Sequence, residues 1–392
     1  MKIKITNEAA LIEICKTISW MDRMSQNAEC NYNDGNLFRE GLELTNCEKI
    51  LTHWICYITN RQMPFEIVWD KGVRVFSELV SEYSRRNKLT PENILKKYYE
   101  SYKNKNKKER FRFKSTGGVT FASRYITQDY KNILQTLEVL NHEKYKRNII
   151  AYIVDIIRRF KDKEDLLLRV ACGLHLLTYQ LDGGNANSEQ IINIINNNEE
   201  FERRLSTFKK TSTHDKKRLW CCIRDYKKGL YHQIFIEAIK EVAKNEGDAN
   251  ELISTWKDLP MNQLELPGDI WNNNPVFRDN LFADVIDINS IPKTWKMPDI
   301  VRDLYEQLKE KEELKDFYPE QFDVTFDFVP RMCDKKLCNV CPFGNGIEKT
   351  CIPTKNKYCP VLLFSCGYIV KCSENDCILK KDSSKGICRG VK

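Results

Sequence analysis

From the N-terminus to about residue 260, apolar positions recur every third or fourth residue. Ile50, Leu51, Trp54, Ile55 and Ile58 form one such stripe, and Ile149, Ile150, Ile153, Val154 and Ile157 a second. Leu166, Leu167, Val170, Leu174 and Leu177 form a third. This is the 3.6-residue repeat of amphipathic helices, and alternating runs of the strand type are nearly absent. The pattern predicts helices near 7–19, 46–60, 66–86, 92–104, 127–141, 144–161, 164–180, 187–197, 213–228, 230–245, 248–257 and 297–313. Asp182-Gly183-Gly184 and Leu259-Pro260 read as turns. Between 258 and 295 several prolines and an asparagine run replace any sustained period, which predicts a packed loop. The fold class read from this pattern is all-α: a helical body with a C-terminal Cys-rich metal-binding lobe. Three regions follow: a helical region with a basic linker at 1–115, a central helical domain at 116–295, and a last helix with the Cys-rich lobe at 296–392.

Composition sharpens this at the carboxyl end. Nine of the sixteen cysteines fall in the last sixty residues, at 333, 338, 341, 351, 359, 366, 372, 377 and 388. Closely spaced thiolates on a loop-rich segment can converge on one soft metal. In Cys338-Asn-Val-Cys341-Pro342 the turn aims two sulfurs at one point, and the proline keeps a helix from spreading them. A 4Fe–4S cluster is the leading reading, and a four-thiolate zinc site is the alternative. Cys333, Cys338, Cys341, Cys351 and Cys359 are the candidate ligands; the last four cysteines form a second site or are spare thiols. The plant-type ferredoxin arithmetic of Cys333, Cys338, Cys341 and Cys372 lacks that loop's small residues and β-rich surroundings. The seven other cysteines (15, 30, 47, 56, 172, 221 and 222) lie in or between helical stripes and read as small buried hydrophobes. An extracellular disulfide framework is the rival reading of the C-terminal set.

Charge adds a second signal. The net charge of +8 is modest for 392 residues. The cations crowd together at Lys103, Lys105, Lys107, Lys108, Arg110, Arg112 and Lys114, with Phe111 and Phe113 interleaved. Cations release counterions from phosphates and rings stack on exposed bases, so DNA, or RNA, is the expected partner. The competing reading is a solvated loop whose charges serve solubility. Gly117-Gly118 and the following Arg124 and Tyr125 offer a close backbone approach and a guanidinium, or else lead into a helix capped by Thr127. The N-terminus lacks signal-peptide architecture and the longest apolar stretch, near 360–370, is too short to span a bilayer, so a cytoplasmic protein is expected. The five histidines form no pair at metal-binding spacing, and no P-loop, Gly-x-Ser-x-Gly or dinucleotide fingerprint is present, so no nucleotide cofactor is expected.

Cys333-x4-Cys338-x2-Cys341-Pro-Phe-x7-Cys351 resembles the C-terminal cluster loop of the endonuclease III and adenine glycosylase branch of the helix-hairpin-helix DNA glycosylase superfamily. The spacing departs from the family's usual one. Asp215-Lys216-Lys217-Arg218 at the start of a helix, followed by Leu266-Pro267-Gly268-Asp269, is similar to the archaeal 8-oxoguanine glycosylases of that superfamily. The resemblance spans residues 210–355 and does not include the family's hairpin, whose second glycine is missing after Leu266-Pro267-Gly268. It implies an all-α, two-lobed base-excision enzyme with a structural iron–sulfur loop. Lys216 or Lys217 would attack the sugar C1′, and Asp269 would steady the charge that develops there. A lysine in the first turn of a helix, beside basic neighbours, has its pKa lowered toward a usable amine. The bland reading makes Lys216 and Lys217 exposed first-turn residues and Asp269 a loop cap. Two rival functions remain: a non-enzymatic metal-stapled DNA- or RNA-binding module, and an iron–sulfur oxidoreductase or electron carrier.

Overall fold

The computed structural model of the chain describes residues 2–30, 42–59, 73–86, 88–104, 118–178, 188–211, 213–228, 231–266, 282 and 285–322. Among them are thirteen α-helices and no strand beyond one isolated bridge. The helices are α1 Glu8–Cys30, α2 Asn46–Thr59, α3 Val73–Arg85, α4 Pro91–Asn104, α5 Gly118–Leu140, α6 Ile149–Phe160 and α7 Leu166–Leu176. They continue as α8 Ser188–Asn196, α9 Asn198–Lys210, α10 Thr213–Lys228, α11 His232–Val242, α12 Glu246–Asp258 and α13 Met297–Leu308. The all-α expectation therefore holds for the body. The expected Cys-rich lobe lies outside the described residues.

Three expected boundaries need correction, and one helix is unexpected. The helix expected at 7–19 continues to Cys30. The helix expected at 127–141 begins at Gly118, so Thr127 is an interior position and not its cap. The helix expected at 144–161 begins at Ile149, where the Asn148 side chain accepts hydrogen bonds from the backbone N–H groups of Ile150 and Ala151. The residues before it form a turn in which Lys146 and Arg147 both take positive φ, 49° and 66°. An unexpected helix, α9, follows Asn197, whose side chain caps it through the Glu200 N–H.

The chain forms two compact units. The first comprises residues 1–32, 212–220 and 261–392, and the second 33–211 and 221–260. In the first, Leu11, Ile14, Cys15 and Ile18 of α1 and Ile300, Val301, Leu304 and Leu308 of α13 are buried. The N-terminal strand-like residues are held by an antiparallel bridge between Ile5 and Ile286. The Ile3 N–H donates to Asp303 Oδ2 at 2.9 Å, and Gln307 Nε2 donates to the Ile3 carbonyl at 3.0 Å. A buried Ser19 hydroxyl donates to Gln321 Oε1 at 2.8 Å, fixing the turn at Pro319–Gln321 against α1.

The second unit is organised around α2, which is buried along nearly its whole length. A helix apolar on every side must be surrounded by others. Here α3, α5, α6 and α11 enclose it, while α6 packs on α7 and α4 packs on α5. Close approach of α6 and α7 depends on Gly173, whose carbonyl accepts the Tyr152 hydroxyl at 2.6 Å. A Cβ at Gly173 would lie 2.2 Å from Ile156 Cδ1. Gly173→Ala is therefore expected to cost about 1–3 kcal/mol through overpacking. Urea denaturation should show this loss, and an added Ile156→Val should recover part of it.

Candidate functional site

Of the expected catalytic groups, the structure describes one fully. Lys216 lies in the first turn of α10, 3% exposed, with its ammonium 5.9 Å from the centre of the Trp220 ring one turn on. The reading of Lys216 as an exposed first-turn residue is thereby contradicted. The neighbouring ring and the aliphatic stem help to exclude water from this lysine. Lys217 is in the same helix, but its side chain lies outside the described residues, as does Asp269. So do the nucleic-acid candidates Lys105, Lys107, Lys108, Arg110, Arg112 and Lys114, and the metal candidates Cys333, Cys338, Cys341, Cys351 and Cys359. Arg124 is placed on α5 by its backbone alone.

A lysine unforeseen in the sequence, Lys227, is strongly perturbed. Burial lowers Lys227 to about 8, and its ammonium donates to the carbonyls of Trp256 and Lys257. Those carbonyls end α12, so the cation sits where a helix C-terminus favours positive charge. This geometry makes Lys227 a staple of the second unit.

The densest polar constellation joins α2 to α10 inside the second unit. Asp225 Oδ2 accepts the Tyr57 hydroxyl at 2.5 Å and lies 3.3 Å from His53 Nε2. The other ring nitrogen, Nδ1, faces the Tyr226 hydroxyl at 3.1 Å and the Cys222 sulfur at 3.9 Å. Tyr231 packs against the imidazole with ring centres 3.6 Å apart. Burial lowers the pKa of His53, outweighing the pull of Asp225. Burial raises Asp225, but the hydrogen bond from His53, the charge of Arg224 and the hydrogen bond from Tyr57 outweigh it and hold the carboxyl below its ordinary range. Near neutral pH the pair is thus a carboxylate and a neutral imidazole. A carboxylate has no proton to give, so Nε2 carries the hydrogen and Nδ1 accepts from Tyr226.

The order thiol, imidazole, carboxylate is that of cysteine nucleophiles, yet the chemistry does not follow. Burial pushes the Cys222 thiol well up, so it stays protonated, and the Tyr226 hydroxyl occupies the nitrogen that would take its proton. The cluster is a satisfied polar joint in the core. His53 stands in an apolar helical stripe 172 residues from Asp225, and no local sequence signal pairs them.

In the first unit a recess of about 340 Å³ is lined by Glu265, Trp295, Asp299, Arg302, Asp303 and Glu306, with Pro298. Three of its four carboxylates, Asp299, Asp303 and Glu306, are engaged in contacts of the fold, the last with Lys309. Asp299 accepts the Lys296 N–H, Asp303 holds Ile3 and Gln307, and Arg302 grips the carbonyls of Asn262 and Leu264. An acidic lining repels phosphate, so this face is ill-suited to a nucleic-acid backbone.

The body thiols are chemically quiet. Cys15, Cys47, Cys56, Cys172 and Cys222 are buried and reduced, and Cys221 is partly exposed. Desolvation pushes Cys15, Cys47 and Cys56 far above the ordinary thiol range. A metal ligand must be a thiolate, so none of these fits the role. Among the described residues no group of three or more His, Cys, Asp or Glu side chains could hold a metal ion. Nor is any described helix long and apolar enough to cross a membrane. Comparison of the chain with models of known families, with curated proteins and with solved structures gave no match.

Proposed function

We propose that the chain is a nucleic-acid-binding protein whose C-terminal cysteines hold a 4Fe–4S cluster and whose helical body excises a damaged or modified DNA base. The observation that carries the excision reading is Lys216, a lysine withdrawn from water beside Trp220 at the start of α10. An amine so placed suits Schiff-base chemistry better than a solvated one. In this reading the basic run 103–114 and the C-terminal lobe grip phosphates, and the target base is turned out of its stack. The Lys216 nitrogen attacks the sugar C1′ and the bond from C1′ to the base breaks. The base leaves with a proton, and the opened sugar remains joined to the lysine as an imine. The Asp269 carboxylate steadies the positive charge that develops on the sugar. The cluster supplies no reacting atom; its ligands Cys333, Cys338, Cys341 and Cys351, or Cys359 in place of one of them, fasten the lobe.

Because Lys216 is covered in the free protein, excision requires its cover to open when nucleic acid binds. Borohydride reduction during incubation with an oligonucleotide carrying 8-oxoguanine tests the reading. The parent chain is expected to give a covalent adduct. Lys216→Arg should reduce it at least about 100-fold, while Lys227→Arg retains it. An adduct that survives Lys216→Arg removes the assignment. The same burial favours a second reading, a non-enzymatic metal-stapled module, which predicts salt-dependent binding and no adduct from any variant.

A further inference from the structure

We infer that the C-terminal end of α3, the adjoining face of α4 and the turn at 142–147 form a surface that receives the phosphate backbone of a nucleic acid, an inference that rests on the nucleic-acid reading above. These segments carry seven cations, Arg85, Arg86, Lys88, Lys97, Lys144, Lys146 and Arg147, against the carboxylates Glu82 and Glu143, and of these Lys144 is paired with Asp155 at 2.8 Å. How the cations are held matters more than their number. Arg147 donates through Nη1 to the carbonyls of Tyr83 and Arg86 at 2.6 and 2.9 Å, and through Nε to Asn141 Oδ1 at 3.0 Å. Its guanidinium also lies 5.3 Å from the centre of the Tyr83 ring. Arg85 donates to the Glu43 carbonyl at 2.6 Å. Neutral acceptors thus fix both guanidinium groups in place, and among the described residues no carboxylate is paired with either.

Arg86 and Lys97 share a single carboxylate, Glu82, at 3.2 and 3.0 Å. The Glu82 side chain is only 10% exposed, whereas the two cations are 58% and 62% exposed. One sunken acid therefore aligns two solvated cations, and the surface above it stays positive. Glu92, at the start of α4, lies near Glu138 of α5, whose carboxyl is raised by burial first and by the Glu92 charge second. The backbone supports the arrangement. Lys146 and Arg147 adopt two consecutive left-handed conformations, which L residues rarely take, and this turn aims Arg147 at α3. Capping of α3 explains the seat of Arg147. It does not explain why Arg86 and Lys97 gather over Glu82 on one exposed side, with Arg85 held beside them on the last turn of α3.

Pre-positioned cations on one face release counterions when they meet phosphates, and each contact contributes about 0.9 to the slope of log affinity against log salt on duplex DNA. The test is fluorescence anisotropy of a labelled duplex oligonucleotide with the full chain across a salt series. Arg85→Gln, Arg86→Gln and Lys97→Gln combined should shrink the slope by roughly 2 to 3 and weaken low-salt binding at least about tenfold. Replacing the two arginines by lysine and leaving Lys97 intact should restore most of the slope. A control losing equal charge elsewhere, Lys161→Gln, Lys163→Gln and Lys240→Gln, should keep the parent slope. Circular dichroism confirms that each variant is folded. Parent-like binding by the first triple variant overturns this inference alone, as does an equal loss in the control. A parent chain that binds no oligonucleotide at low salt overturns the inference and the nucleic-acid reading together.

Discussion

Asp225→Ala is expected to remove roughly 3–5 kcal/mol of folding stability, because it strands two buried donors at once. The Tyr57 hydroxyl and His53 Nε2 both point at Asp225 Oδ2 from α2, and neither has water to turn to. Against a typical total of about 5–15 kcal/mol, such a loss leaves the second unit near its threshold. Asp225→Asn should cost less, since its amide oxygen can still accept one of the two bonds. Tyr57→Phe leaves the carboxylate one bond short and should cost about 1.5–3 kcal/mol. Urea denaturation followed by circular dichroism measures all three, and a cost below about 1 kcal/mol for Asp225→Ala would show that the joint is not what holds α2 to α10.

The pH dependence follows from the same groups. His53 has a folded pKa below its ordinary 6.5, so its contribution is complete above that value and is lost as pH falls through the lowered one. Asp225, depressed from 3.8, adds a second loss in the same direction at lower pH. Tyr57 and Tyr226 are raised well above 10, so their contribution is complete below that value and is lost as pH rises beyond it. From these groups alone stability should be flat from about pH 7 to 9 and decline on both sides, while Lys227, held at about 8 in the folded chain, adds a gain as pH rises above that value. Tyr57→Phe should flatten part of the alkaline decline.

Cys338→Ser and Cys341→Ser are expected to abolish the cluster, lowering iron from about four atoms per chain to below one, with loss of the visible absorption. Each removes a thiolate from the Cys-x2-Cys-Pro step, and a hydroxyl is a poor ligand for a soft centre. Cys56→Ala and Cys172→Ala should leave the iron untouched, because those thiols are buried singly in the helical core. They are expected to lower stability modestly, as small hydrophobes do when trimmed. Iron retained by both serine variants would move the site to other cysteines.

Much of the helical body is legible in the sequence because its signals are local. The stripe of Ile50, Trp54 and Ile58 places α2 within one residue of its observed end, and α10 spans the expected 213–228. The helix α9 escapes the periodic reading because Phe201, Leu205 and Phe208 are its only buried apolar residues among thirteen. Its start signal was nevertheless present, Asn197 followed three residues later by Glu200, which is the pattern of a capped N-terminus. The early start of α5 was hidden by Gly117-Gly118, a pair that ordinarily breaks helices. The burial of Lys216 and the pairing of His53 with Asp225 are tertiary facts. Periodicity places each side chain on a helix face, but it cannot say what that face meets.

Anaerobic purification of the full chain, followed by iron and acid-labile sulfide analysis with a visible spectrum, tests the central claim most directly. The account predicts about four irons and four sulfides per chain with a broad band near 400 nm. Stoichiometric zinc, or a colourless chain that carries no metal while its C-terminal thiols pair as disulfides, would contradict it.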